Sequence, residues 1–133
     1  QNAAFYERRV FGQGRNFFHI ENWYSVHSVI RNSLRLFLLH PDGSTEVVVM
    51  GSDVVAGQQV QVVIPAGTWQ AGEMVPDGRY SLFGCTVAPG FFGTIFEAAV
   101  TEELIAEYPE QEEAIRRLSR NNNVTRMPVG YSQ

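Results

Sequence analysis

Lysine is missing from this chain; all ten basic residues are arginine. That excludes Schiff-base chemistry on a lysine and any ligand carried on a lysine amine. The single cysteine, Cys85, excludes an internal disulfide and a cysteine metal cluster. Long apolar runs are also missing. Leu36-Phe37-Leu38-Leu39 and Val47-Val48-Val49-Met50 fall far short of the roughly 20 residues of a membrane helix. No charged n-region followed by an apolar h-region is visible. The net charge of −4 gives no basic footprint for nucleic acid. Neither nucleic acid nor a membrane is therefore expected as a partner. The chain begins at Gln1 rather than Met and carries an Asn123-Val124-Thr125 sequon. Both lean the expectation toward a processed, secreted protein.

What is present reads as one folded domain. A chain of 133 residues, 44% hydrophobic, is enough for a single core and too apolar for disorder. Leu34 to Leu39 is rich in β-formers and runs into His40-Pro41-Asp42-Gly43, a strong turn signal. Thr45 to Met50 then predicts the second strand of a hairpin. Gln59, Gln61 and Val63 alternate with Val60, Val62 and Ile64, which predicts a strand with one wet and one apolar face. Pro65-Ala66-Gly67 turns the chain into a strand from Trp69 to Met74. Pro76-Asp77-Gly78 turns it again into one from Tyr80 to Val87. After Pro89-Gly90 the pattern becomes helical. Thr101 is the expected cap of a helix carrying Leu104 and Ile105, which Tyr108-Pro109 ends. Glu110 to Arg120 predicts a second helix, acidic early and basic late as the helix dipole prefers. The aromatic pairs Phe5-Tyr6, Phe17-Phe18 and Trp23-Tyr24 leave the first thirty residues open between strand and loop. The division read from this is a single domain over residues 1–133. It has an aromatic-rich segment at 1–33, a barrel core at 34–98, a helical tail at 99–120 and a polar tail at 121–133. Short strands at regular spacing with helices at the end predict an all-β barrel or sandwich.

Two blocks carry a family resemblance. Gln61-Val62-Val63-Ile64-Pro65-Ala66-Gly67-Thr68-Trp69-Gln70-Ala71 resembles the second motif of a cupin branch, Q-x-V-V-P-A-G-x-W-Q-A. Tyr80-Ser81-Leu82-Phe83-Gly84-Cys85-Thr86-Val87-Ala88-Pro89-Gly90-Phe91 resembles its next block, Y-S-L-x-G-C-T-V-A-P-G-F. Phe96-Glu97 and the run from Glu103 to Pro109 continue the likeness, which covers roughly Leu34 to Leu118. The resemblance implies a cupin double-stranded β-helix, a jelly-roll barrel with short carboxy-terminal helices, usually paired as a dimer. The partner chain is either a second copy or a different chain.

The likeness breaks where cupins hold metal. The family's first motif supplies His, His and Glu, and its second motif a last His. Here Phe18-His19 matches the start of the first motif and His27 its end, but Trp23-Tyr24 stand where Asp-Glu is expected. Arg31 replaces a glycine, Phe92 an aspartate, and Gln70 takes the place of the last His. Ala3-Ala4-Phe5-Tyr6 offers a competing alignment with an early motif of the branch. A metal site would have to draw on His19, Glu21, His27 and Gln70. With the carboxylate ligand replaced and an amide in the last position, no metal cofactor is expected.

Two functions remain. One is acid–base chemistry of the kind cupin sugar epimerases perform. His19 or His27 would be the base and Tyr24 or Tyr80 the acid, with Arg31, Arg35 and Arg79 holding a nucleotide sugar. The other, preferred here, is non-enzymatic binding. Aromatics make up 12% of the chain, and replacing charged ligands by Trp23 and Tyr24 makes the site region more apolar. The expected ligand is an apolar or conjugated small molecule such as a carotenoid, held non-covalently and shared across a dimer interface. The expected ligand-binding set is Phe18, His19, Trp23, Tyr24, His27, Trp69, Gln70 and Tyr80.

Overall fold

The fold is described from a computed structural model, for residues 3–4, 17–20, 24–31, 33–76, 81–88 and 96–119. Its strands are β1 (Ala3–Ala4), β2 (Phe18–Ile20), β3 (Tyr24–Arg31), β4 (Leu34–Leu39), β5 (Thr45–Met50), β6 (Gln61–Ile64), β7 (Trp69–Met74), β8 (Leu82–Ala88) and β9 (Phe96–Ala98). Two short helices follow, α1 (Thr101–Glu107) and α2 (Glu112–Leu118), joined by a 3-10 turn at Pro109–Gln111.

The strands form two antiparallel sheets. One has the order β1-β8-β3-β6, the other β5-β4-β7-β2-β9. The β4–β5 hairpin is the one predicted. Leu34 pairs with Met50 and Leu39 with Thr45. Gly43 makes its turn possible with φ 89°, a conformation open to glycine at no steric cost. The Asp42 carboxylate closes the turn, accepting from the Ser44 amide at 2.8 Å and the Ser44 hydroxyl at 2.5 Å. Those bonds hold the Asp42 carboxyl below its usual pKa. The predicted alternation on β6 is also realised: Val62 and Ile64 are buried, Gln61 and Val63 exposed.

The two sheets pack face to face through an aliphatic core. Leu34, Leu36 and Leu38 of β4, Val48 and Met50 of β5, and Val62 and Ile64 of β6 form one cluster. A second cluster lies on the other side of the five-stranded sheet. Phe37, Leu39 and Ala71, with Phe17 and Ala99, pack against Leu104, Tyr108, Ala114, Ile115 and Leu118. The helical tail is thus a third layer. β4 is buried along nearly its whole length because both of its faces are covered.

β2 and β3, from the first thirty-three residues, are internal strands of the two sheets. Two expectations are corrected. Thr101 does not cap α1. Val100 is the extended residue whose carbonyl accepts from Leu104 N–H, and the Thr101 hydroxyl is buried with no hydrogen-bond partner among the described residues. The second helix is shorter than Glu110–Arg120. Pro109 starts a 3-10 turn, and α-geometry spans only Glu112–Leu118. Glu112 and Glu113 open that helix, and Arg116 and Arg117 close it, as predicted.

Candidate functional site

Strand parity assigns the candidate residues to faces, because successive residues of a strand belong to opposite faces and directly paired residues share one. Leu38, an inner-core residue, pairs with Gln70, and Gln70 pairs with Phe18. Gln70 is 1% exposed. On the opposing sheet, His27 pairs with Val62 and with Cys85, and Val62 belongs to the same inner core. The inward register positions therefore include Phe18, Gln70 and His27.

Other candidates fall on the outward parity. Trp69 adjoins Gln70 and pairs with Leu39. It packs against the helix-side cluster, so it does not share the barrel interior with Gln70. His19 pairs with Glu97, one step out of phase with the Phe18–Gln70 pair. Tyr24 and His27 stand three positions apart on a stretch of β3 whose pairing with β8 is unbroken. That odd offset assigns them to opposite faces of their sheet. Arg35, read as a nucleotide contact, also lies on the helix side and donates to Glu73 at 3.3 Å. Trp23 and Tyr80, with Glu21 and Arg79, lie outside the described residues. Arg31 is at the end of β3, paired with Leu82 beyond a register shift.

The inner-face residues that form the described core cluster are alike in chemistry. Leu34, Leu36, Leu38, Val48, Met50, Val62 and Ile64 are aliphatic or thioether side chains. Gln70 is the buried polar side chain among them, the other buried polar residue being Thr68 in the turn before β7. The metal centre implied by the resemblance needs three or four convergent donors. The donor set does not fit it: His19 and Gln70 belong to opposite faces of one sheet, and an amide oxygen is a poor ligand for a transition metal. Among the described residues no three His, Cys, Asp or Glu side chains converge.

Polar contacts missed by the sequence reading lie on the helix side. Glu73 is gripped by two arginines. It accepts from Arg35 at 3.3 Å, and from Arg117 at 3.0 Å and 3.2 Å. Arg117 lies over the Phe37 ring, 5.8 Å from its centroid, and its guanidinium is held above its usual pKa chiefly by the hydrogen bonds to Glu73. Tyr108 donates to the His40 carbonyl at 2.6 Å, and burial pushes its phenol pKa up. The His40 ring meets Glu46 at 2.9 Å through Nε2 and Thr68 at 3.4 Å through Nδ1. The late arginines of α2 were the available signal, since i to i+4 pairs such as Glu113–Arg117 can be read from spacing. Their reach to Glu73 could not be.

Comparison with known proteins agrees with this architecture. Residues 13–99 match the family model described as Cupin superfamily (DUF985). A crystal structure of a protein from Shewanella oneidensis is similar at a TM-score of 0.70 and 31% identity, over 79% of this chain and 66% of the other. A hypothetical protein from Leishmania major has the same fold at a TM-score of 0.68 and 23% identity, over 78% and 68% of the two chains. The chain thus spans about two thirds of the length of the solved structures it resembles. No curated protein matches it. The family match covers more than half of the sequence and includes both motif blocks, and the chain belongs to the cupin superfamily, in its DUF985 family.

Proposed function

We propose that the barrel binds an apolar or conjugated small molecule without covalent attachment and without a resident metal. The supporting observation is the chemistry of the inner face: its described buried side chains are aliphatic or thioether, and Gln70, also buried, shares their parity. Small-molecule sites are mostly apolar, with a few polar groups that fix orientation. An amide both donates and accepts, so Gln70 suits a hydroxyl or carbonyl at one end of an otherwise apolar ligand. Phe18 and His27 share the inward parity and complete the proposed site. A carotenoid, a polyene with oxygenated ends, is a candidate. It is too long for one small barrel, so the proposal includes a dimer across which the ligand is shared.

The epimerase alternative needs a His and a Tyr on one face. The offset between Tyr24 and His27 weighs against that pair.

The test is the absorption spectrum and organic extract of protein isolated from its natural source. The proposal expects an extractable apolar compound in stoichiometric amount, and at least a tenfold weaker affinity for it in Gln70→Leu. A colourless protein that yields no extract and turns over a nucleotide sugar would overturn it. Sedimentation velocity tests the dimer, and a monomer at tens of micromolar would remove the shared-ligand arrangement.

A further inference from the structure

The outer edge of the five-stranded sheet faces a cleft of about 430 Å³ that no part of the interior reading uses. β5 is the last strand in that sheet among the described residues. Its free side is identified by one short pairing already made there. Gln59 N–H donates to the Val49 carbonyl at 3.0 Å, and Gly51 N–H donates to the Gln59 carbonyl at 2.9 Å. In an antiparallel strand, alternate residues turn both backbone groups to the same side. Val49 turns its groups toward the free edge, so Thr45 and Val47 do too. No described strand continues the pairing alongside them.

The cleft next to this edge has a definite character. Val47 is an exposed apolar wall, 49% accessible. The cleft arginines are already engaged: Arg35 on Glu73, and Arg117 on both Glu73 and Glu113. Glu110 is exposed and has no ion-pair partner among the described residues. The unsatisfied charge of the cleft is therefore negative.

We propose that β5 accepts an extended, basic segment of another polypeptide as an added strand. Its backbone would pair with Thr45 and Val47, an apolar side chain would cover Val47, and an arginine or lysine would reach Glu110. Sheet edges recruit strands through their backbone groups, and neighbouring side chains set specificity. A second copy of this chain is the poorer partner. Edge-to-edge pairing would bring two copies of Glu110 together on a chain whose net charge is already −4.

The experiment uses the full chain with a fluorescein-labelled, end-capped peptide of alternating valine and arginine, and with its glutamate counterpart. Fluorescence anisotropy at low salt reads affinity, and amide hydrogen exchange reads the edge. The expected result is saturable binding of the arginine peptide, at least tenfold weaker binding of the glutamate peptide, and at least tenfold slower exchange at Thr45 and Val47. Glu110→Lys, on the helix side, should weaken binding at least fivefold. Val47→Pro, which removes an edge N–H tolerantly at an edge position, should weaken it at least tenfold. No binding, equal binding of both peptides, or unchanged exchange at Thr45 and Val47 overturns the proposal. So does self-association of the chain through β5. None of the peptide-binding outcomes touches the ligand reading of the interior.

Discussion

The two faces of the five-stranded sheet solve burial in different ways. The inner face is aliphatic and joins sheet to sheet, with one buried amide. The outer face buries a comparable set of apolar side chains under two seven-residue helices and adds ion pairs, a cation–π contact and a tyrosine hydrogen bond. A sheet can cover another sheet with side chains alone because both present broad pleated surfaces. Two short helices give a narrower cover, and here polar ties at their margins add to it. The inner face is thereby left with few polar demands of its own, as the proposed ligand site requires.

Substitutions on the two faces test that contrast. Leu36 is fully buried at the centre of the inner face, and Leu36→Ala should lower the unfolding free energy by about 3–5 kcal/mol in urea titrations. Ile115, fully buried under the helix layer, should give about 2–4 kcal/mol as Ile115→Ala. A clearly greater loss at Ile115 than at Leu36 would show that the helix layer, not the sheet pair, dominates stability. Tyr108→Phe keeps the ring and removes the bond to the His40 carbonyl; thermal melts should show a loss of about 1 kcal/mol. Arg117→Met removes the contacts to Glu73, Glu113 and Phe37, at partly exposed positions. Its cost should be about 0.5–1 kcal/mol, smaller in high salt. An equal cost at all salt concentrations would mean that packing, not charge, ties α2 to the sheet.

The smallest effect is at the hairpin turn. Asp42 has a depressed carboxyl pKa because its ionised form accepts two bonds from Ser44. A depressed carboxylate contributes stability above its unfolded pKa, about 3.9, and that contribution is lost as pH falls through the folded value. Asp42→Asn should therefore melt slightly below the wild type at pH 7, with the difference shrinking as pH falls through the folded value. A difference that does not shrink on acidification would assign the effect to turn geometry rather than charge.

The hairpin, the β6 alternation and the β7 strand were legible because each rests on local signals: turn residues, period-two patterning and β-propensity. The family followed from the two motif blocks. The amino-terminal strands were not legible. β2 is only three residues long, and β3, Tyr24 to Arg31, mixes aromatic, polar and aliphatic residues without a clean period. The candidate site was read as a set of residue types near the motifs, which ignores parity. Trp69 and Gln70 share one motif block, yet adjacent residues of a strand belong to opposite faces. Arg35, a nucleotide-sugar contact in the epimerase reading, bonds instead to Glu73, 38 residues away in sequence. Such pairings depend on which strands become neighbours, and no local pattern encodes that.

The brevity of the helices has a spectroscopic consequence. Seven residues are too few for a stable isolated helix in water. Besides each other, α1 and α2 rest on surfaces from outside the helices, from Phe37, Leu39 and Ala71 to the His40 carbonyl that receives Tyr108. The helices can therefore persist only while the sheet beneath them does. The helical part of the far-ultraviolet signal at 222 nm that comes from α1 and α2 then serves as a remote gauge of barrel integrity, and it should disappear in the same cooperative transition as tryptophan fluorescence.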